Sequence, residues 1–203
     1  AANRARLVEL MCSNSGATIG DCALDDTLDE RYRQRIATLL IDRLGFRPEE
    51  IRPRLEVLLA AGERRAVVRL DFLVVLAGRP AMVIRFGPGS IVSRERPALS
   101  FSRLVAPVQV PVAVATNGED AAILEGGSGK LLARGLEAIP SRAALARILE
   151  AAPPQPIPPE RAEREARIAY CYEVDGACPC DDTICRLDPA PAAEGGPPAG
   201  GAQ

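Results

Sequence analysis

The sequence contains no histidine and no tryptophan, and its single lysine is Lys130. Without histidine there is no Ser-His-Asp triad, no Cys-His nucleophile pair and no histidine metal ligand. Acid–base chemistry would therefore have to use carboxylates, tyrosine, cysteine, Lys130 or water. Arginine carries almost all of the positive charge, and it suits bidentate pairing with phosphate or carboxylate better than proton transfer.

The 203 residues also lack a strong net charge and long apolar runs. The formal net charge of −2 gives no overall sign of nucleic-acid binding, so such binding would depend on a local patch of arginines. No segment reaches the roughly 18 to 20 apolar residues of a transmembrane helix. No basic segment followed by an apolar one marks the start as a targeting signal. We therefore expect a globular, cytoplasmic protein with no membrane partner.

The hydrophobic pattern predicts an α/β domain over residues 27–152, with a mixed β-sheet flanked by helices. Thr27 and Glu30 fit a capping box at the start of the first helix, and Gly45 ends it. Residues 110–115 form a β-branched apolar run, which predicts a buried central strand. The other predicted elements are strands at 55–59, 67–76, 81–86 and 121–124, a helix at 93–105 with Pro97 in its first turn, and a helix at 141–151.

The segments outside this domain differ from it in composition. Residues 1–26 are predicted to be an N-terminal extension that is mostly loop. The proline-rich stretch 153–159 predicts an extended linker and a domain boundary. Residues 160–188 are predicted to hold a short helix and a small cysteine cluster, and residues 189–203 to be disordered.

Four cysteines near the C-terminus, Cys171, Cys178, Cys180 and Cys185, have the spacing C-x6-C-x-C-x4-C. Four thiolates can hold Zn²⁺ tetrahedrally, and in a reducing compartment such clustering favours metal over disulfides. The spacing differs from the paired C-x2-C of common zinc ribbons. A redox-active cluster and cysteines without a shared role therefore remain as alternatives.

Asp71 is an acidic residue within an otherwise apolar predicted strand. Such a residue pairs with a nearby arginine, here Arg69 or Arg85, lies at an exposed edge, or serves a site. If the hairpin loop contains an odd number of residues, Asp71 and Arg85 point to the same side. Arg69, Arg85, Arg94 and Arg96 around the loop 87–90 predict a phosphate- or anion-binding pocket, with simply solvated arginines as the alternative.

Several short segments resemble a known family in their order and spacing. They are DERYRQ at 29–34, LGF at 44–46, RLDF at 69–72, VIRFG at 83–87 and VATNG at 114–118. Over residues 27 to 135 they resemble the N-terminal domain of type I restriction enzyme R subunits. The resemblance implies a restriction-endonuclease-like PD-(D/E)XK fold, with a small cysteine-rich tail beyond it in this chain.

In that family, an aspartate on one strand and a Glu-x-Lys triplet on the next bind magnesium and activate water to cleave DNA. Asp71 matches the aspartate, and Glu30 matches an acid of the first helix. The triplet falls on Arg85, Phe86 and Gly87. An arginine in place of the metal-binding acid argues against magnesium, and Gly87 has no side chain to polarise water. The resemblance therefore implies a vestigial catalytic site formed by Glu30, Asp71 and Arg85.

Two functional hypotheses follow from the sequence. The first is a relative of the restriction R-subunit N-terminal domain that keeps the fold and a DNA partner but has a degenerate nuclease site. The second is a non-enzymatic module that binds a protein partner or a small anion and whose C-terminal segment is stabilised by zinc.

Overall fold

The computed structural model describes residues 28–177 and 184–187. Helix α1, Leu28–Thr38, continues without a break as a π-helical turn, Leu39–Arg43. Gly45 follows with φ of 76°, a left-handed conformation that glycine adopts at helix ends without a steric penalty. The predicted end of the first helix is confirmed.

The remaining elements alternate between strands and helices along the chain. They are β1 Ile51–Ala61, β2 Arg64–Leu76, β3 Arg79–Phe86, α2 Val92–Phe101, β4 Val112–Thr116, β5 Ala121–Glu125, β6 Leu131–Arg134, α3 Arg142–Ala151, α4 Pro159–Tyr170 and β7 Ile184–Arg186. A π-helical turn, Cys171–Asp175, extends α4, and two 3-10 turns occupy Pro48–Glu50 and Leu136–Ala138.

Within the described residues, the strands form one seven-stranded sheet in the order β1-β2-β3-β4-β5-β6, with β7 also paired to β2. β3 and β4 run parallel and are connected through α2, whereas the other pairs are antiparallel. β4 lies between β3 and β5, and all of its residues are buried. The predicted mixed sheet and its buried central strand are therefore confirmed.

Helices cover both faces of this sheet. One core cluster includes Ile36 from α1 and Leu145 from α3. The other includes Phe101 from α2 and Tyr170 from α4. The protein is thus a three-layer α/β structure, in which each face of the sheet is shielded by helices.

β2 changes from one core to the other at Asp71. Leu70 packs with the α2 and α4 cluster, whereas Phe72 packs with the α1 and α3 cluster. On the neighbouring strand, Arg54 has φ of 51° and lies outside the β1–β2 pairing register. This irregularity creates a polar position inside a buried strand pair, and Asp71 occupies it with 3% of its surface exposed.

The sequence pattern missed two short strands and misplaced one proline. β6 and β7 are short and mostly exposed, so neither shows the alternation of buried and exposed residues that marks a strand. Pro97 lies inside α2 and not in its first turn, which corrects the prediction. The backbone bond that Pro97 cannot make would go to Ser93, close to the helix start, so the helix continues past it.

Helix α4 follows the proline-rich stretch that was predicted to be a linker. Its Ala169 and Tyr170 are buried in the core cluster beneath α2. The proposed domain bounds stay a prediction. The predicted N-terminal extension 1–26, the Thr27 cap and the tail 189–203 lie outside the described residues.

In the part of the chain that the structure describes, no helix combines the length and apolar character needed to cross a membrane.

Candidate functional site

Asp71 on β2 is held by three donors from three elements. Arg33 of α1 donates from Nε to Oδ1 at 2.8 Å. Arg85 of β3 donates from Nη1 to Oδ2 at 2.8 Å, and the backbone N–H of Phe86 donates to the same oxygen at 2.8 Å. Asp71 and Arg85 therefore point to the same side of the sheet, as the odd-loop condition predicted, and both carboxylate oxygens are occupied.

Arg85 bridges Asp71 to a second acid, Glu173, in the π-helical turn that extends α4. Oε2 of Glu173 accepts from Nε of Arg85 at 3.2 Å and also from Nη2. Nη1 of Arg85 donates to the carbonyl oxygen of Arg69 at 3.1 Å as well. Since Arg85 is 5% exposed and Glu173 is 3% exposed, this ion pair is shielded from water.

Glu30 extends the network on the α1 side. Its Oε2 accepts from Nη2 of Arg54 at 2.7 Å and lies 3.7 Å from Nη1 of Arg33. Because Arg33 contacts both Glu30 and Asp71, the two acids share one arginine. The buried network consists of three acids and three arginines and is formally neutral: Glu30, Asp71, Glu173, Arg33, Arg54 and Arg85.

The network keeps its members charged. Burial raises the pKa of the Asp71 carboxyl, but the charges of Arg85 and Arg33 and the hydrogen bond from Arg33 outweigh it, so this pKa lies below its usual value. Burial lowers the pKa of the Arg85 guanidinium, yet Glu173 and Asp71 together raise it above its usual value. Asp71 is therefore a carboxylate and Arg85 a cation at neutral pH.

The family comparison bears on this part of the chain. The model of the type I restriction enzyme R protein N terminus matches residues 28–140, more than half of the 203 residues. The chain belongs to this family. No curated protein and no solved structure matches it. The family match to the type I R protein N terminus includes Asp71 and Arg85, whereas Glu173 lies beyond it.

In this member of the R protein N-terminal family, the residues around Asp71 do not suit a magnesium ion. Mg²⁺ requires oxygen ligands at about 2.0 to 2.1 Å, but both oxygens of Asp71 accept from N–H groups and Arg85 adds a cation beside them. A Cβ at Gly87 would lie 2.6 Å from Nε of Arg94, so a lysine there would have to displace that side chain. Lys130 is exposed between β5 and β6, two strands away from β2.

The other three arginines predicted to bind an anion lie in separate settings. Arg69 lies 3.5 Å from Glu56 on the surface. Arg96 donates to Glu165 at 2.8 Å. Nε of Arg94 is buried and has no hydrogen-bond partner among the described residues. The anion-binding role stays a prediction, and Arg94 is the member of this set that no carboxylate in the described part of the chain neutralises.

Sequence reasoning did not find Arg33, Arg54 or Glu173. Arg33 follows Glu30 by three residues on a helix, a spacing that signals a side-chain pair. Arg54 takes part because of a backbone irregularity that has no sequence signature. Glu173 is 88 residues from Arg85, so only the packing of the α4 segment on the sheet reveals the contact.

The predicted zinc ligands are described only in part. Cys171 and Cys185 are free and exposed, on the extension of α4 and on β7. Cys178 and Cys180 lie outside the described residues. Among residues 28–177 and 184–187, no group of three or more His, Cys, Asp or Glu side chains could hold a metal ion. The four-cysteine zinc site therefore stays a prediction.

Proposed function

We propose that this chain is a non-cleaving member of the type I R protein N-terminal family, with a restriction-endonuclease-like fold that binds DNA without cutting it. The observation that carries the proposal is the position of Arg85, between Asp71 and Glu173. In the family pattern this position belongs to an acid that binds magnesium.

The strand arrangement supports the nuclease-like fold. The family's aspartate and its triplet lie on two successive strands, and here Asp71 and Arg85 lie on the antiparallel neighbours β2 and β3. Their side chains meet at 2.8 Å, as two groups of one site would. The geometry of the site is thus retained while its chemistry differs.

The charge balance supports the loss of cleavage. A metal-dependent nuclease needs acids whose negative charge is available to a divalent cation, which in turn activates water. Here the charges of Asp71 and Glu173 are both directed at Arg85. A metal ion would have to displace a buried guanidinium, and that guanidinium would then lose its counterions in a low-dielectric environment.

DNA contact would have to use arginines outside this network. Arg94 is the best candidate, because it begins the helix that follows the exposed loop 88–90 and has no carboxylate partner in the described residues. A guanidinium at this position suits a phosphate oxygen.

Two measurements on the pure full chain test the proposal. Supercoiled plasmid with Mg²⁺ or Mn²⁺ should remain uncut; metal-dependent nicking that disappears in Asp71→Asn would overturn the loss of cleavage. Duplex DNA should bind with an affinity that falls as salt increases, and Arg94→Gln should weaken it while the surface control Arg147→Gln does not. No binding even at low salt would refute the DNA contact.

A second candidate function is a non-enzymatic docking module with a zinc-stabilised C-terminal segment. The favouring observation is that residues beyond the family match pack into the fold: Glu173 enters the buried network and β7 pairs with β2. This segment also carries the exposed thiols of Cys171 and Cys185. Metal analysis of the full chain, purified under reducing conditions, tests it: one zinc per chain that is lost in Cys171→Ser/Cys185→Ser supports the module, and a metal-free chain refutes the zinc site.

A further inference from the structure

A groove of about 870 Å³ runs along α1 and its π-helical turn, on the side that faces Gly118 and the 3-10 turn Leu136–Ala138. Its volume lies within the roughly 300 to 1,000 Å³ that is usual for sites of small organic ligands. None of the six side chains of the buried network lines it. The groove is therefore distinct from the degenerate nuclease site.

Helix geometry separates the two sites. Arg33 contacts Asp71, whereas Arg35, two residues later on the same helix, lines the groove. Residues two apart on an α-helix point in nearly opposite directions, because each residue turns the helix by about 100°. α1 thus presents one side to the buried network and another to the groove.

The groove combines an apolar floor with a cationic rim. Leu39, Leu44 and Leu136 line it and are partly buried against the core cluster of α1 and α3. Arg35 and Arg43 line it as well, and both are exposed. Since residues 35, 39 and 43 are spaced by four along the helix, an arginine stands on either side of a leucine.

The positive charge at the rim is available to a ligand. Among the described residues, neither Arg35 nor Arg43 has a carboxylate partner, and the guanidinium of Arg35 lies over the ring of Tyr32 at 5.6 Å. Of the lining residues, Glu137 carries the acid. Its carboxylate lies against the backbone of Gly135, where a Cβ would be 2.1 Å from Oε1. The rim near α1 is therefore cationic.

We propose that this groove binds an amphipathic organic anion, a small molecule with an apolar body and a carboxylate, phosphate or sulfonate head group. The apolar body packs on Leu39, Leu44 and Leu136, and the head group pairs with Arg35 and Arg43. Guanidinium groups form strong charge-assisted hydrogen bonds with such anions, and burial of the apolar body supplies the rest of the affinity.

The test uses the full chain without DNA or metal, so its outcome is independent of the nuclease question. Two probes are titrated: 8-anilinonaphthalene-1-sulfonate, followed by its fluorescence, and decanoate, followed by displacement of that dye. We expect saturable binding of one dye per chain, and we expect Arg35→Gln/Arg43→Gln to weaken it by about tenfold or more, since a hydrogen bond to a charged group contributes roughly a factor of ten.

Matched controls separate this site from general stickiness. Arg147→Gln removes an exposed arginine of α3 that does not line the groove, and it should leave the affinity unchanged. Octyltrimethylammonium, which has an apolar body and a cationic head, should not displace the dye. The proposal is overturned if the dye does not saturate, if the double variant binds as tightly as the unaltered chain, or if Arg147→Gln weakens binding equally.

Discussion

Two buried clusters of acids and arginines fix the α4 segment to the sheet, and they differ in how completely they are satisfied. Around Glu165, Oε1 accepts from Arg103 at 2.6 Å, and Oε2 accepts from Arg96 at 2.8 Å and Ser100 at 2.9 Å. Around Glu173, Oε2 accepts from Arg85, whereas Oε1 is buried with no hydrogen-bond partner in the described residues.

The comparison shows that the position of the family's catalytic site has the chemistry of an ordinary structural ion cluster. The Glu165 cluster lies away from the residues that match the nuclease pattern, and it uses the same acid–arginine pairing. Replacing a metal-binding acid by arginine thus turns a site for a cation into a site that contains its own cation. A buried pair of this kind contributes little net stability, but losing one partner is costly.

The largest expected effect comes from Arg85→Leu, which leaves Asp71 and Glu173 without their shared cation. We expect a loss of roughly 3 to 5 kcal/mol in the free energy of unfolding, measured by urea denaturation at neutral pH. Asp175→Asn, which breaks the exposed pair with Arg64, is the control and should cost less than about 1 kcal/mol. Equal effects of the two substitutions would show that the buried network does not stabilise the fold.

A smaller effect is expected from Glu165→Leu. Arg103 also donates to the carbonyl oxygens of Gly126 and Gly127, so it keeps hydrogen-bond partners after the acid is removed. We expect a loss of roughly 2 to 3 kcal/mol in the same denaturation assay. A loss larger than that of Arg85→Leu would reverse the proposed ranking of the two clusters.

The smallest effect concerns pH. The pKa of Asp71 is lower in the folded chain than its usual value of 3.8, so its ionised form stabilises the fold above that value and the contribution is lost as the pH falls below it. Glu165 has a lowered pKa as well: burial raises it, but hydrogen bonds from Arg96, Arg103 and Ser100 outweigh burial. Between pH 5 and 2, stability should therefore fall less steeply in Asp71→Asn or Glu165→Gln than in the unaltered chain. An unchanged slope in both variants would contradict these shifts.

The local parts of this account could be predicted from sequence. The periodicity of α1, the apolar run of β4 and the β2–β3 hairpin indicated the α/β class, and one acid in an apolar strand indicated an ion pair between Asp71 and Arg85. These features depend on residues close in the chain or on a single hairpin.

The non-local parts could not be predicted. β7 and Glu173 reach β2 and β3 only after α4 has packed on the sheet, and no periodic pattern encodes that docking. The left-handed conformation of Arg54, which brings it to Glu30, is a property of the irregular strand pair and not of arginine itself.

The central claim is that Arg85 takes the place of a metal ion beside Asp71. Calorimetric titration of the full chain with Mn²⁺ tests it directly, with Asp71→Asn and Glu173→Gln measured in parallel. We expect no binding that depends on Asp71 at millimolar Mn²⁺. Stoichiometric Mn²⁺ binding that disappears in Asp71→Asn would contradict the claim.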